Sequence, residues 1–262
     1  MNKAVVELVV EAAAKFILPR YQTLTAGQVR TKSGPRDLVT IADEEAERWL
    51  SPRLMALLPG AAVVGEEAVA ADPGILEMLQ GTQPVWLIDP VDGTLNFAEG
   101  RPDFCVMVAL VLDGVIESGV VYEPLKNRCC VARRGQGAWL RDLSLGTLRR
   151  LPGPAMGPTA ALDGFVYHRP LKERTVGVRH RRLGSAGVEY VRLAMGQEAF
   201  SLYDRNMPWD HAAGSLLVTE SGGRVAHVDG SPYRPGPAPG VPLLSAGATS
   251  WEDIRAALTL AP

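Results

Sequence analysis

The apolar positions near the start of the chain are spaced as on one face of a helix. Val5, Val9 and Phe16 follow this spacing, which predicts a helix over residues 3–18. Pro19 comes next, and a proline at this point predicts the end of the helix, because its ring clashes with the preceding turn.

Short apolar runs separated by turn residues predict the strands of the first half of the chain. Residues 85–88 form a continuous apolar run that Asp89 and Pro90 end, as is typical of a buried strand. Asp113 and Gly114 join two further runs, and this dipeptide is typical of a hairpin turn. The other predicted elements of this half are a loop at 20–36, a helix from about Leu38 to Leu57, a strand at 61–65, a helical piece near 73–80, strands at 103–112 and 114–122, and a strand pair at 127–140.

Residues 142–161 hold three prolines, three glycines and little periodicity, so they predict a boundary between two halves. We predict an α+β half at 1–145 and an α/β half at 146–262. Helices and hairpins alternate in a way that indicates a layered α+β or α/β architecture. The second half has predicted strands near 163–167, 180–184, 199–203, 224–228 and 242–245, and predicted helices at 185–196, 209–221 and 250–259.

Composition narrows the range of functions. The formal net charge of −2 argues against a sequence-wide basic surface that would hold nucleic acid or an anionic membrane. The three cysteines lack framework spacing, so we expect no disulfide scaffold and a reducing, cytoplasmic setting. No stretch approaches roughly 18 uninterrupted apolar residues, and no membrane span is expected.

Two aspartates stand at the end of the apolar run 85–88. Pro90 ends the strand directly after Asp89, and Asp92 follows three residues after Asp89. Two carboxylates held a few ångströms apart repel, unless one takes up a proton or a cation lies between them. Hard oxygen ligands of this kind suit Mg²⁺, while the same aspartates could simply cap backbone donors in a turn. The aspartate pair alone leaves both interpretations open.

Three further acidic residues stand at the ends of predicted elements. Glu66 directly follows the strand predicted at 61–65. Asp210 opens a helix and Asp43 lies in the first turns of another, where N-capping and the helix dipole are sufficient explanations for an acid. Sites gather at element ends in layered α/β folds, so the acids taken together favour a metal site.

Several segments together resemble the inositol monophosphatase family. Residues 89–97, Asp-Pro-Val-Asp-Gly-Thr-Leu-Asn-Phe, resemble its first signature, and residues 209–214, Trp-Asp-His-Ala-Ala-Gly, resemble its second. Residues 65–67, together with Lys32 and residues 37–43, are similar to two upstream elements in the same order. The resemblance implies the layered α-β-α-β-α sandwich shared with fructose-1,6-bisphosphatase, and a phosphoric monoester hydrolase.

The resemblance also implies two to three Mg²⁺ ions in each active site. One ion would be bound by Glu66, Asp89 and the backbone carbonyl of Val91. A second would be bound by Asp89, Asp92 and Asp210. A third and weaker ion would use Glu66 and otherwise water. Inhibition by lithium, which would replace one of these ions, is a further implication.

The catalytic roles that the resemblance implies fall on few residues. Asp43 and Thr94 would form a hydrogen-bonded pair that, with Glu66, orients and activates the attacking water. Gly93 and Thr94 would offer backbone N–H groups to the phosphate. Lys32 would lie near the metal cluster and help to bind water or phosphate. No side chain would act as a nucleophile.

Substrate choice follows less closely from the resemblance. Gly184, Ser185 and Ala186 match the family segment that contacts the alcohol part of the substrate. Asp204 is the nearest acid before the second signature, but its spacing to Asp210 is one residue shorter than in inositol phosphatases. An inositol-1-phosphate-like substrate is therefore expected alongside histidinol phosphate, fructose 1,6-bisphosphate and 3′-phosphoadenosine 5′-phosphate. The partners expected are this small phosphorylated metabolite and a second subunit in a homodimer.

Two rival functions stay open at this point. Haloacid-dehalogenase phosphatases also place an aspartate after an apolar strand, but a single residue separates their two aspartates, and the first is a covalent nucleophile. Here two residues separate Asp89 from Asp92. Some members of the resembled family act in RNA-associated complexes, so a regulatory role beside catalysis is the second alternative.

Overall fold

The computed structural model describes residues 3–34, 37–155, 162–167, 178–236 and 240–259. Within these ranges the chain forms helices and two large sheets stacked in layers. The layered α+β architecture expected from the sequence is confirmed.

The first helical layer contains two helices. Helix α1 spans Lys3–Ala12, continues through a π-helical turn at Ala13–Ile17 and ends in a 3₁₀ turn at Leu18–Arg20. Helix α2 spans Ile41–Leu57. The valines predicted to share one face of α1 are buried, which confirms the helix predicted at 3–18.

The loop predicted at 20–36 is wrong in its second part. Strand β1, Val29–Gly34, pairs antiparallel with β2, Asp37–Thr40, as a two-stranded hairpin. The sequence of β1 is short and polar and shows no alternation typical of a strand, so this segment becomes a strand because it pairs with β2. The predicted start of α2 at Leu38 is also wrong. Thr40 caps the helix by accepting a hydrogen bond from the Ala42 N–H.

A seven-stranded sheet forms the second layer. Its first two strands run parallel and all later neighbours are antiparallel. Its last strand falls inside the predicted boundary region, of which residues 156–161 lie outside the described residues. The division into halves at 1–145 and 146–262 stays a prediction. The strands, in both chain and spatial order, are β3 (Ala62–Gly65), β4 (Val85–Asp92), β5 (Cys105–Leu112), β6 (Val115–Glu123), β7 (Arg128–Arg133), β8 (Ala138–Asp142) and β9 (Thr147–Arg150).

Short helices follow β3 and β4 at one edge of this sheet. Helix α3 spans Glu66–Ala71 and is followed by a 3₁₀ helix at Pro73–Gln80. Helix α4 spans Thr94–Ala98. Because β3 and β4 are parallel, α3 and α4 begin at the same edge.

The second sheet has five strands in the order β11-β10-β12-β14-β13. The helices predicted at 185–196, 209–221 and 250–259 are confirmed, with slightly shifted ends. The elements are β10 (Leu162–Val166), β11 (Val178–Arg181), α5 (Ala186–Ala194), β12 (Phe200–Tyr203), α6 (Pro208–Glu220), β13 (Gly223–His227), β14 (Leu243–Gly247) and α7 (Trp251–Thr259).

Successive side chains of β4 point to opposite faces of the seven-stranded sheet, so the sheet separates two hydrophobic clusters. Trp86 and Ile88 pack with α1 and α2 on one face of the seven-stranded sheet. Val85 and Leu87 pack with α5 and α6 on the other face. Helix α7 covers the outer face of the second sheet through Trp251. The five layers are therefore helix, sheet, helix, sheet and helix, and α5 and α6 lie between the two sheets.

The two central helices approach each other closely because one contact residue is a glycine. A Cβ added to Gly214 of α6 would lie 2.1 Å from the ring of Tyr190 in α5, and Tyr190 is fully buried.

Among the described residues, no helix has the length and apolar composition needed to cross a bilayer.

We predict that Gly214→Ala lowers the free energy of unfolding by roughly 1–3 kcal/mol, because the buried Tyr190 ring cannot move aside without strain. Denaturant unfolding measures the change. Gly27→Ala is the control, since a Cβ there meets nothing within 4 Å. Equal stability of the two variants would contradict the close helix contact.

Candidate active site

The end of β4 is irregular, and this irregularity carries two of the candidate aspartates. Asp89 pairs with Met107 and Asp92 pairs with Cys105, so the register shifts between them. Pro90 has no N–H to donate to the ladder, which permits the shift. Gly93 then adopts a left-handed conformation with φ +90°, and a Cβ there would lie 2.9 Å from a backbone oxygen.

Three carboxylates from separate segments meet at this point. Glu66 begins α3, Asp89 lies in β4 and Asp210 lies in the first turn of α6. One carboxylate oxygen from each lies within 4.8 Å of the other two. The Oδ1 atom of Asp89 is buried and, within the described part of the chain, has no hydrogen-bond partner.

The electrostatics of this cluster suit a divalent cation. Burial raises the pKa of Asp89 well above its ordinary range, and the charges of Glu66, Asp92 and Asp210 raise it further. Burial and the charge of Glu66 likewise raise the pKa of Asp210. Clustered carboxylates with an unpartnered buried oxygen are the oxygen ligands that Mg²⁺ binds, so these residues fit the ion.

Asp92 stands apart from this group of three. Its carboxylate accepts hydrogen bonds from the N–H groups of Ala186 at 3.0 Å and Gly187 at 2.7 Å, and from the Ser185 hydroxyl. The Cys105 thiol lies 3.3 Å away. The capping interpretation therefore describes Asp92 in this structure, and its predicted metal role stays a prediction. A Cβ on Gly187 would lie 2.4 Å from the Cys105 sulfur, so glycine is required there.

The predicted pair of Asp43 and Thr94 is in hydrogen-bond contact. The Thr94 hydroxyl lies 3.2 Å from Asp43 Oδ1 and 3.0 Å from the Val91 carbonyl oxygen. The other oxygen of Asp43 accepts the N–H of Thr40 at 2.9 Å. Burial raises the pKa of Asp43 to about 7, although the hydrogen bonds from Thr40 oppose the rise.

Lys32 lies beside the cluster without lining the cleft. Its Nζ atom lies 2.8 Å from Glu66 and 2.7 Å from Glu67. Burial alone would lower the pKa of Lys32, but the charges of Glu66 and Glu67 and the hydrogen bonds to both carboxylates together outweigh burial, and the pKa is raised. Lys32 therefore stays charged and orients Glu66.

Sequence reasoning missed Glu47, which supports the start of α3. Its carboxylate accepts the N–H groups of Glu67 at 2.9 Å and Ala68 at 2.8 Å. A Cβ on Gly65 would lie 2.3 Å from the Glu47 carboxyl carbon. An acidic residue on the buried face of α2 was the available signal, because buried carboxylates require partners.

The acidic cluster lies in a cleft of about 800 Å³. Of the predicted substrate residues, all but Lys32 line it. Exposed Asp204 lies on the wall supplied by the second sheet. The substrate residues that line the cleft are Gly93, Thr94, Gly184, Ser185, Ala186 and Asp204.

A buried network behind this wall was also missed. Glu189 accepts hydrogen bonds from the hydroxyls of Tyr167 and Tyr203, both at 2.5 Å, and from the Leu183 N–H at 2.7 Å. The Gly184 N–H donates to the Tyr167 oxygen at 2.9 Å. Burial raises the pKa of Glu189 to about 7. The sequence signal was the position of Glu189, the one acid of α5, between Val188 and Tyr190.

His211 takes no position for acid–base chemistry. Its ring nitrogens lie 3.0 Å from the Tyr190 hydroxyl and 2.8 Å from the Arg205 carbonyl oxygen. Burial lowers the pKa of His211 to about 4, so the ring is neutral at pH 7. His211 thereby holds the loop that leads into α6.

Known proteins provide an independent comparison. The inositol monophosphatase family matches residues 1–257. The chain is 30% identical to inositol-1-monophosphatase of Bacillus subtilis over 232 residues, which are 85% of this chain and 83% of that protein. It is 34% identical to Nus factor SuhB of Pseudomonas aeruginosa over 233 residues, 84% of this chain and 83% of that protein. The crystal structure of extragenic suppressor protein suhB from Bartonella henselae is 27% identical, with a TM-score of 0.79 over 99% of this chain and 100% of that chain.

Two raised pKa values give the metal-free protein a pH dependence of known sign. Asp43 and Glu189 keep a proton in the folded state up to about pH 7, while the unfolded chain releases it near the ordinary values of 3.8 and 4.5. Their contribution to stability is therefore fully present below about pH 4 and is lost as pH rises toward 7. We expect Asp43→Asn and Glu189→Gln each to reduce this loss.

Unfolding of chelator-treated protein between pH 4 and 8 measures the effect. Glu44→Gln, on the same helix as Asp43, is the control and should keep the slope of the unchanged protein. Identical slopes in all variants would contradict the assigned burial of these carboxyls.

Proposed function

The chain belongs to the inositol monophosphatase family, and from that premise we propose that it is a Mg²⁺-dependent phosphatase for small phosphate monoesters, of the inositol-1-phosphate type. The observation that carries the proposal is the meeting of Glu66, Asp89 and Asp210 within 4.8 Å. The unpartnered Asp89 oxygen supports it, because a buried carboxylate oxygen without a donor suits a cation.

We assign the ions to residues that converge on the cleft. Glu66, Asp89, Asp210 and the Val91 carbonyl would hold two to three Mg²⁺ ions, with Asp92 at the α5 end of the same cleft. When bound, Mg²⁺ supplies positive charge that eases deprotonation of water and neutralises phosphate oxygens. Lys32 holds Glu66 in position from behind.

Water is positioned by the hydroxyl of Thr94. When this hydroxyl donates to Asp43, its oxygen lone pairs can accept a hydrogen bond from water in the cleft. The pair would thereby fix the direction in which a water attacks phosphorus. Glu66 would take the proton of this water, the bond between phosphorus and the ester oxygen would break, and the leaving alcohol oxygen would take up a proton from solvent water. Gly93 and Thr94 would direct backbone N–H groups to the phosphate.

The alcohol part of the substrate would contact the opposite wall. Gly184, Ser185, Ala186 and Asp204 line that wall, and about 800 Å³ accommodates a sugar or cyclitol phosphate. Histidinol phosphate, fructose 1,6-bisphosphate and 3′-phosphoadenosine 5′-phosphate are the alternative substrates. Cytoplasmic location and a homodimer belong to the same proposal. A regulatory role in an RNA-associated complex stays the alternative function, and one relative of this chain is named Nus factor SuhB.

A panel of phosphate esters tests the activity. We expect phosphate release with Mg²⁺, none with a chelator, and inhibition by Li⁺. The panel contains inositol 1-phosphate and the three alternative substrates. Absence of Mg²⁺-dependent release from every ester would overturn the proposed activity.

Asp89→Asn tests the metal site. We expect kcat/KM to fall about 10³-fold, because the change removes a charged ligand from the centre of the cluster. Asp113→Asn, at an exposed hairpin turn, is the matched control and should retain full activity. A similar rate in both variants would remove Asp89 from the metal site.

Thr94→Val tests the water-positioning hydroxyl. We expect kcat to fall about 10²-fold or more with little change in KM, because binding groups remain while orientation is lost. Thr94→Ser keeps the hydroxyl and should recover most of the rate. Equal losses in the two variants would show that the methyl group matters rather than the hydroxyl.

A further inference from the structure

The wall opposite the acidic cluster carries a stack of planar side chains. The Arg182 guanidinium lies over the Tyr167 ring, 4.8 Å from its centroid. Tyr167 in turn stacks on Tyr203, with centroids 5.2 Å apart and planes inclined by 21°. Arg182 is exposed, forms the outer end of this stack and lines the same cleft as the carboxylates.

Arg182 is held in a defined orientation. Its Nε–H donates to the Val166 carbonyl at 2.9 Å. The next residue, Leu183, is fixed on both sides of its peptide: its N–H donates to Glu189, and its carbonyl accepts from the Asn96 amide at 2.7 Å. The backbone that carries Arg182 is therefore rigid, and little side-chain entropy is lost when the guanidinium binds a ligand.

The terminal amino groups of Arg182 have no hydrogen-bond partner within the described part of the chain. Among the residues described, the guanidinium donates to one carbonyl and pairs with no carboxylate. Neighbouring arginines differ in this respect, since Arg181 pairs with Glu198 at 3.4 Å and Arg101 pairs with Glu99 at 2.6 Å. Arg182 thus presents two donor groups and a positive charge to the cleft.

A second arginine strengthens the positive character of this wall. Arg205 is exposed, lines the cleft and follows Asp204. A neutral polyol has no charge to place against either arginine.

We propose that Arg182 binds a second anionic group on the alcohol part of the substrate, so that the preferred substrates are phosphate monoesters that carry a further phosphate or carboxylate. This inference rests on the proposed phosphatase function. A planar guanidinium matches both anions with two parallel hydrogen bonds, and a charge-assisted pair is stronger than a hydrogen bond to a hydroxyl.

Two matched substrate pairs test the preference and separate the anions. Fructose 1,6-bisphosphate is compared with fructose 1-phosphate, and 2-phosphoglycerate with glycerol 2-phosphate. For the favoured anion we expect kcat/KM about tenfold or more above that of its partner. Arg182→Gln should reduce this ratio of kcat/KM values to about one, while the rate on the partner that lacks the second anionic group stays unchanged.

Arg53→Gln is the matched control. Arg53 also covers an aromatic ring, with its guanidinium 3.9 Å from the Trp49 centroid, but it does not line the cleft. This variant should keep the full ratio. Arg182→Lys keeps the positive charge but lacks the planar guanidinium, so it should recover part of the kcat/KM ratio that Arg182→Gln loses. An equal fall on both members of a pair in Arg182→Gln would indicate a structural role and overturn the inference.

Binding provides a readout that does not depend on turnover. Calorimetry of the same four compounds, with Ca²⁺ in place of Mg²⁺, should show that the unchanged protein binds the compound with two anionic groups more tightly than its partner, and that Arg182→Gln binds the two equally. If the affinity difference between the two compounds of a pair were the same in the unchanged protein and in Arg182→Gln, the anion subsite would be overturned even where hydrolysis is observed. Differential binding without hydrolysis of any ester would retain the subsite and overturn the phosphatase activity instead.

Discussion

The mutual repulsion of acidic side chains at one point is the constraint on which the rest of this structure depends. Glu66, Asp89 and Asp210 come from three elements and would separate if those elements were free to move. Backbone hydrogen bonds to Glu47 fix the start of α3, and the parallel pairing of β3 with β4 fixes the distance between the first two acids. The fold thus supplies the free energy that keeps the carboxylates together.

The parts of the site that the sequence reveals are those with a local pattern. Asp89 and Asp92 could be located because an apolar run leads to them and a proline follows Asp89, but the strand end expected at Pro90 is wrong, since β4 continues through an irregularity to Asp92. Lys32 lies on a hairpin that its polar sequence does not announce, because pairing between β1 and β2 decides it. Glu47 and Glu189 were not recognised, since their partners are backbone groups and tyrosines far away in sequence.

The two walls of the cleft have different chemistry because they come from different sheets. The wall formed by β3 and β4 is acidic and buried, and it suits metal ions and phosphate. The wall formed by the second sheet carries tyrosines and exposed arginines. Asp92 joins the two by capping α5, so a single carboxylate connects the acidic wall to the segment Gly184–Ala186 on the other wall.

The glycine contact between α5 and α6 has a consequence for how such an enzyme can evolve. The close approach of Gly214 to Tyr190 holds α5 and α6 together. The first turn of α5 is capped by Asp92, and the first turn of α6 contains Asp210. The relative position of these two aspartates is therefore inherited as a unit with this helix pair. Arg182 and Arg205 are exposed and lie outside both helices, so a lineage could exchange them for other side chains and acquire new metabolites while the chemistry is preserved.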